Sequence, residues 1–312
     1  MGNDFHKIFL RLKKEGVFVN PETLRRHHVQ GFLSNVYVVD SNKGKLVLHI
    51  NKIHPEQRRQ NAWEKVWAVG KLLDNYPRIP SAHVFLSGTL GREKYFIVQE
   101  FLAGKIAGQR VIRGKVFVDE WSERSKKSEM SIERTIARIN TIPMQGGGWL
   151  VKRGGSITGK YRSWNEFLER EVPMWLRRIR VVEGNAKLSS GISQYFEANK
   201  SKMKIKKSVL LHADIMNPGN ILLHHGRVSG FVDWEWALAG DPAWEFAFNS
   251  SYPLSTYFKS FPRVFTHDEK KDFRRRITLY GPLILTWYLY VWSLADRKAY
   301  NECKYHLAML GF

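Results

Sequence analysis

The sequence predicts an α+β fold, with a small β-rich N-terminal part followed by a larger α-rich C-terminal part. Apolar runs of strand length fill much of residues 30–103, and apolar residues with helical spacing prevail after Gly104. The chain has 312 residues, of which 43% are hydrophobic, so it can bury a substantial core. We therefore expect two parts, residues 1–103 and residues 104–312.

The strands of the N-terminal part begin with a predicted β-hairpin. Residues 31–40 and 45–50 are rich in β-branched and aromatic residues, and Ser41–Gly44 between them has the composition of a turn. Residues 94–101 predict a further strand. Between these strands, residues 57–73 have apolar side chains at spacings of three and four, which predicts an amphipathic helix.

The C-terminal part is predicted to be mainly helical, near residues 133–139, residues 164–172 and throughout the last 60 residues. Six glycines within residues 146–159 predict a loop. Ile277–Ala295 contains no charged residue over 19 positions, about the length of a membrane span. Pro282 and several tyrosine and threonine residues favour a buried core helix there instead.

The composition limits the partners and the compartment. The single cysteine, Cys303, cannot form an internal disulfide, and the first residues lack the apolar stretch of a signal peptide, so we expect a cytoplasmic protein. The net charge is +21, but the basic residues are scattered along the chain. We interpret them as a solvated surface and expect no specific nucleic-acid or membrane partner. The sequence does not indicate an oligomeric state.

Residues 209–247 contain the polar residues with the clearest chemical pattern. Predicted short strands at 209–211, 221–223 and 228–232 bring polar residues to their ends. These residues are Asp214, Asn220, Asp233 and Glu235. Phosphoryl transfer needs a carboxylate that accepts the proton of the attacking hydroxyl, and oxygen ligands for the metal that bridges the phosphates. Asp214 would be the base, and Asn220 and Asp233 the metal ligands.

The same segment resembles the aminoglycoside phosphotransferase and choline kinase family. The similarity lies in His212-Ala213-Asp214, Pro218–Leu222, Asp233-Trp234-Glu235 and Gly240-Asp241-Pro242. It implies a bilobal, protein-kinase-like fold with a nucleotide-binding lobe ending at a hinge and a catalytic lobe that also binds the acceptor. It also implies ATP, with GTP as the alternative, Mg²⁺ and a small-molecule acceptor hydroxyl, and it places His212 and Asp214 in the catalytic motif.

The spacing of this motif differs from that of the family. Five residues separate Asp214 from Asn220, whereas the family usually has four. Asn220 directly precedes the Ile-Leu-Leu strand, as the family's metal ligand does, and Asn217 is the alternative ligand.

The resemblance extends more weakly to the N-terminal part. It implies nucleotide contacts from the phosphate-covering loop, strand, helix and hinge: Gly31, Ser34, Asn35, His49, Glu64, Gln99, Glu100 and Leu102. His49 occupies the strand position where the family has Lys or Arg paired with a helix Glu, here Glu64. A neutral imidazole supplies no charge, so either His49 is protonated beside the phosphates or another cation replaces it. Lys52 would face the opposite side of the strand.

Two other functions compete with that of a kinase: an enzyme with a phosphate-binding loop, and a binding module without activity. Residues 154–161 nearly match the phosphate-binding loop GxxxxGK[ST], but Tyr161 stands where a Ser or Thr hydroxyl is needed. His49 and the extra residue before Asn220 also leave open an inert, kinase-like binding module with a basic RNA-binding surface.

The acceptor prediction depends on local charge. Residues 208–250 contain five acidic residues and one basic residue. Four glutamates would bind a cationic acceptor, namely Glu235, Glu245, Glu166 and Glu169. They favour an aminoglycoside-type antibiotic over a macrolide, a sugar or an amino alcohol. The competing interpretation is that Glu235 and Glu245 pair with arginines of the same lobe.

Overall fold

The computed structural model describes residues 3–27, 34–53, 55–113, 116–122, 125–248, 254–294 and 296–312. Its helices are α1 Asn3–Lys14, α2 Pro55–Arg59, α3 Ala62–Leu73, α4 Lys126–Ile139, α5 Trp164–Glu183, α6 Lys187–Asn199, α7 Ser255–Lys259, α8 His267–Trp292 and α9 Arg297–Met309. Its strands are β1 Val19–Arg26, β2 Ser34–Ser41, β3 Gly44–Lys52, β4 Val84–Leu90, β5 Lys94–Glu100, β6 Lys105–Ile106, β7 Gly108–Arg113, β8 Val116–Trp121, β9 Pro143–Met144, β10 Gly147–Arg153, β11 Ser156–Tyr161, β12 Ser208–Leu211, β13 Ile221–His224, β14 Arg227–Phe231 and β15 Leu238–Gly240.

The N-terminal region is an antiparallel sheet of five strands in the order β1-β2-β3-β5-β4. The predicted hairpin is confirmed, with Ser41 paired to Gly44. Leu46, Leu48 and Ile50 of β3 pack with α1 in one hydrophobic cluster. Because side chains alternate along a strand, His49 faces the other side of the sheet, where a cleft separates it from the C-terminal region.

The predicted amphipathic helix over residues 57–73 is divided in two. Asn61 has left-handed backbone angles, with φ of 49°, and separates α2 from α3. Asparagine tolerates this conformation better than most residues, so the chain can turn here without glycine. The break allows α2 to contact the C-terminal region while α3 packs against β4.

The C-terminal region combines helices with a second sheet of five strands in the order β11-β10-β15-β12-β9. The predicted helices near residues 133–139 and 164–172 are confirmed as parts of α4 and α5. The uncharged stretch after Ile277 lies mostly in α8 and is largely buried, as expected of a core helix. Within the described residues, the structure contains no helix long and apolar enough to cross a bilayer.

The predicted fold class is confirmed, but strands were missed after Gly104. Residues 105–121 contain three strands, and the glycine-rich segment expected to be a loop forms the β10–β11 hairpin. Packing explains several of the glycines in that hairpin. A Cβ atom on Gly147 would lie 2.2 Å from the backbone of Ser163, so only glycine permits this approach. The division at residue 103 stays a prediction.

A buried ion network joins α2 to the C-terminal region. The Arg59 guanidinium donates to Glu56 and to both carboxylate oxygens of Glu171, at 3.0 and 2.7 Å. The Tyr290 hydroxyl donates to Glu56 at 2.8 Å, and the Tyr161 hydroxyl donates to Glu171. Glu56 and Glu171 are only 1% and 2% exposed, so Arg59 balances two buried charges.

Replacing Arg59 by Met is expected to destabilise the protein by about 3 kcal/mol, because it leaves both carboxylates buried without a cation. This loss of stability is at the lower end of the range for a broken buried ion pair, because the Arg59 side chain is 28% exposed and water screens part of its charge. Urea denaturation followed by tryptophan fluorescence measures it. Arg162→Met is the matched control, since Arg162 is 90% exposed beside Glu166. Equal urea midpoints for the two variants would contradict this account of the network.

Candidate active site

The loop between β12 and β13 is fixed from behind by buried hydrogen bonds. The Glu245 carboxylate accepts the backbone N–H groups of His212 and Ala213, at 2.6 and 2.9 Å. The fully buried His212 ring donates through Nε2 to the Val232 carbonyl at 2.7 Å. Ala213 has a φ of 68°, an uncommon conformation for a residue with a side chain. These contacts fix the backbone immediately before Asp214.

The Asp214 carboxylate accepts four hydrogen bonds from two sides. Oδ2 accepts from the amide groups of Asn217 and Asn220, at 3.2 and 2.9 Å. Oδ1 accepts from the Tyr288 hydroxyl at 2.9 Å and from Arg110 Nη1 at 3.4 Å. The carboxylate is therefore oriented by its neighbours, as expected of a proton acceptor with a defined direction of attack.

Asn217 and Asn220 differ in which of their amide atoms are used. Asn220 donates through Nδ2 to both the backbone carbonyl and the side chain of Asp214. Its amide oxygen makes no hydrogen bond within the described residues. Asn217 instead uses its oxygen to accept the Gly219 N–H at 3.1 Å, capping the 3₁₀ turn Pro218–Asn220. Asn220 therefore has the oxygen that a metal ion can use.

Asp233 follows β14 and lies exposed at the cleft. Its φ of 63° is unusual for a non-glycine residue, and such conformations concentrate at functional sites. The described residues include no group of three or more His, Cys, Asp or Glu side chains that could bind a metal. One carboxylate and one amide oxygen suit Mg²⁺, which usually retains water or phosphate oxygens as its other ligands.

A cleft between the sheet and the C-terminal region places two of the predicted nucleotide contacts, His49 and Gln99, beside Asp233. Its lining residues are His49, Val66, Gly70, Leu73, Ser81, Ala82, Val84, Ile97, Gln99, Phe231, Asp233, Trp234 and Glu235. Loss of hydration in the cleft, together with nearby His27, lowers the pKa of His49 to about 4. The imidazole is therefore neutral at physiological pH, and it lies 3.5 Å from Gln99 Nε2.

Within the described residues, the other predicted nucleotide contacts are not among those that line this cleft. Gly31 lies outside the described residues, and Ser34 begins β2. Asn35 is exposed and accepts a hydrogen bond from Arg26. Glu100 is exposed, and Leu102 packs beside Gly230.

Glu64, the helix residue expected to pair with the strand position, points to solvent on α3, and its neighbour Lys65 is buried. Lys65 Nζ donates to Gln60 at 2.8 Å and lies 5.4 Å from the centre of the Trp149 ring. Burial lowers the pKa of Lys65 to about 7, although Glu235 and Glu56 oppose the shift.

Three of the four glutamates predicted to bind the acceptor make contacts within the protein. Glu235 accepts hydrogen bonds from Asn51 and Tyr95 of the N-terminal sheet. Glu245 lies behind the loop described above. Glu166 pairs with Arg162 at the start of α5, and Glu169 is exposed on the same helix. For Glu245, the competing interpretation of a pairing with an arginine is not observed among the described residues, and its carboxylate accepts two backbone N–H groups instead.

Comparison with known proteins gives the chain its family. Residues 5–256 match the phosphotransferase enzyme family, APH. The chain belongs to this family. The phosphotransferase class and the resemblance predicted from the sequence are thus confirmed.

The fold of this phosphotransferase is similar to those of solved macrolide and aminoglycoside phosphotransferases. Macrolide 2'-phosphotransferase MphH from Brachybacterium faecium shares 16% identity at a TM-score of 0.56, covering 95% of this chain and 99% of that one. The GDP complex of aminoglycoside 2'-phosphotransferase-IIIa shares 12% at 0.64, covering 99% and 98%. A thermostable mutant of aminoglycoside phosphotransferase APH(4)-Ia, in a ternary complex with AMP-PNP and hygromycin B, shares 17% at 0.59, covering 98% of both chains. No curated protein matches the chain in sequence.

Two residues at the phosphotransferase site escaped prediction from the sequence. Arg110 lies on β7, in a segment expected to be helical, and no motif marks it. Tyr288 lies in α8 and was interpreted only as part of a buried helix. Buried tyrosines usually direct the hydroxyl to a partner, so a tyrosine in a strongly apolar helix is a weak signal of a polar site nearby.

Replacing His49 by Lys is expected to raise nucleotide affinity about tenfold, because a cation would then form a charge-assisted hydrogen bond to phosphate. Titration with a fluorescent nucleotide analogue measures the change. In the wild-type protein, His49 should cause no change of affinity between pH 6 and 8, since its pKa is about 4. If His49→Lys and His49→Ala both bind like the wild type, this side chain does not contact the nucleotide.

Proposed function

We propose that this enzyme transfers the γ-phosphate of ATP, with GTP as the alternative donor, to a hydroxyl group of a small molecule. The arrangement of Asp214 supports the proposal most strongly. Its carboxylate is 16% exposed, and donors on both sides fix its orientation. Asn220, a proposed Mg²⁺ ligand, donates to this carboxylate, so the proton acceptor and the metal would lie side by side, which suits phosphoryl transfer.

Each residue has a distinct task in the proposed reaction. Asp214 orients the acceptor hydroxyl and accepts its proton as the oxygen attacks phosphorus. Asp233 and the amide oxygen of Asn220 would bind Mg²⁺, which when present neutralises charge on the phosphate oxygens. His212 contacts no reacting atom. It positions the loop through the Val232 carbonyl, and Glu245 does so through two backbone amides.

The nucleotide would occupy the cleft beside His49 and Gln99, with its phosphates directed towards Asp233. Solved relatives with this fold form complexes with GDP in one case and with AMP-PNP in another. Those complexes support nucleotide binding in general and leave both donors in the proposal. We also retain the predicted phosphate-covering role for Gly31, Ser34 and Asn35, and the predicted hinge role for Glu100 and Leu102.

The acceptor is proposed at the level of a hydroxyl-bearing small molecule. The aminoglycoside predicted from the sequence depended on four glutamates, and Glu235, Glu245 and Glu166 are engaged in contacts within the protein. Structures with similar folds include both aminoglycoside and macrolide phosphotransferases. The predicted cytoplasmic location is retained, because the single cysteine is unpaired and buried.

A coupled assay tests the proposed function. Magnesium-dependent release of ADP or GDP should increase when a pool of hydroxyl compounds contains an acceptor. Asp214→Asn should abolish that increase. Salt-sensitive RNA binding, with no nucleotide turnover under any condition, would instead support the inert binding module.

A further inference from the structure

A β-hairpin lies against the proposed catalytic loop. β7 and β8 pair from Gly108 with Trp121 to Arg113 with Val116. β7 packs against the 3₁₀ turn Pro218–Asn220, where a Cβ atom on Gly219 would lie 3.9 Å from the Gly108 carbonyl oxygen. Residues of this hairpin can therefore contact a molecule bound at Asp214.

Arg110 is the residue of the hairpin that reaches Asp214. Its Nε and Nη2 atoms donate to the two carboxylate oxygens of Asp119, at 2.7 and 3.2 Å. Its guanidinium lies 4.1 Å from the centre of the Phe248 ring, and the side chain is only 11% exposed. These contacts fix the cation and leave Nη1, which is 3.4 Å from Asp214 Oδ1, as its weakest contact.

The two oxygens of Asp214 define two sides of the site. Oδ2 accepts hydrogen bonds from Asn217 and Asn220. Because Asn220 is a proposed metal ligand, the metal and the nucleotide phosphates would lie on the Oδ2 side. Oδ1 accepts the longest of the four contacts, from Arg110 at 3.4 Å, and we place the acceptor hydroxyl at this oxygen, beside Arg110 and Tyr288. A hydroxyl that donates to Oδ1 would displace the long contact from Arg110, and the free N–H of Nη1 would then need another oxygen.

The charge at this position selects between acceptor classes. An ammonium group beside Arg110 offers no hydrogen-bond acceptor and adds a like charge. Two like charges at contact distance in a partly buried site repel more strongly than they would in water. A carboxylate or phosphate would accept from Nη1 and attract the cation. The carboxylates of Asp119 and Asp214 both offset the Arg110 charge, which limits the expected preference to about ten- to a hundredfold.

The charge of the whole chain favours the same class. Its net charge is +21, so the long-range field attracts anions and repels polycationic acceptors. We propose that Arg110 is an acceptor-binding residue, and that the acceptor presents an anionic oxygen group, a carboxylate or a phosphate, next to its reactive hydroxyl. The proposal rests on the proposed phosphotransfer to a hydroxyl and names its substrate class.

Matched acceptors that share a skeleton and differ in charge test the proposal. One series is glucose, glucuronate and glucosamine. A second is glycerol, glycerate, glycerol phosphate and aminopropanediol. Binding of each compound to the protein with Mg²⁺ and a non-hydrolysable ATP analogue is measured by calorimetry, and transfer by kcat/KM. The anionic members should bind at least about tenfold more tightly than their neutral and amino counterparts.

Variants of Arg110 test whether this residue causes the preference for anionic acceptors. Arg110→Gln should reduce the anionic-to-neutral affinity ratio about ten- to a hundredfold, whereas Arg110→Lys, which retains the charge, should preserve part of it. Arg162→Gln controls for the loss of one positive charge, because Arg162 lies just before α5 and is 90% exposed. Circular dichroism verifies that each variant is folded.

The proposal is overturned if neutral or amino members bind best, if Arg110→Gln leaves the ratio unchanged, or if no anionic member binds at millimolar concentration. Failure of the proposed function gives a different result. In that case, magnesium-dependent nucleotide turnover in the presence of an acceptor pool would be the same in the wild type and in Asp214→Asn.

Discussion

Replacing Asp214 by Asn is expected to abolish phosphoryl transfer while leaving nucleotide affinity almost unchanged. The amide has nearly the same shape but cannot accept the proton of the acceptor hydroxyl. General acid–base contributions are typically about 10²–10⁴-fold, and the loss should fall in that range. Steady-state kinetics gives the change in kcat, and titration with a fluorescent nucleotide gives the affinity. A loss of tenfold or less would reject Asp214 as the base.

Tyr288→Phe separates loss of the base from disturbance of its surroundings. It removes the donor 2.9 Å from Asp214 Oδ1 and leaves the carboxylate in place. Because three other donors still contact the carboxylate, we expect kcat to fall by less than about tenfold. If this variant lost as much activity as Asp214→Asn, orientation would be the main contribution of the carboxylate, and proton acceptance a minor one.

Replacing Asp233 by Asn is expected to raise the magnesium concentration needed for half-maximal activity sharply, because it removes the carboxylate among the proposed ligands. Replacing a residue that only orients a metal ligand typically reduces metal affinity about 10–100-fold. Loss of the ligand carboxylate itself should reduce it at least as much. Magnesium titrations at saturating nucleotide measure it. An unchanged requirement would place the metal elsewhere.

The two asparagines of the loop provide a matched pair for the same titration. Asn220→Ala removes an amide oxygen that has no hydrogen bond within the described residues, whereas the oxygen of Asn217 accepts from Gly219. Asn220→Ala should therefore raise the magnesium requirement more than Asn217→Ala does. The opposite order would identify Asn217 as the metal ligand. The additional residue relative to the family would then not lie between Asp214 and the ligand.

Local sequence patterns predicted the elements that carry the chemistry. The strands before Asp214 and after Asn220 are short apolar runs flanked by polar residues, and their identity depends little on distant contacts. The hairpin at Ser41–Gly44 and the N-terminal Ser163 cap of α5 likewise depend on nearby residues. Such features are readable without the tertiary structure.

Long-range contacts decided what the sequence did not reveal. Glu235 and Glu166 look alike in sequence, yet Glu235 contacts the N-terminal sheet and Glu166 pairs with Arg162. Arg110 reaches Asp214 across 104 positions of the chain, and only folding brings the two together. The β10–β11 hairpin was hidden because glycine lowers strand propensity, although here it permits close packing.

Detection of the phosphorylated product tests the central claim most directly. The protein is incubated with Mg²⁺, ATP labelled at the γ-phosphate and a mixture of hydroxyl compounds of differing charge, and the products are analysed by mass spectrometry. We expect one acceptor to gain a single labelled phosphoryl group, with no product when Mg²⁺ is chelated or Asp214 is replaced by Asn. Label that appears only as inorganic phosphate at every acceptor concentration, or a product whose yield is unaffected by Asp214→Asn, would contradict the claim.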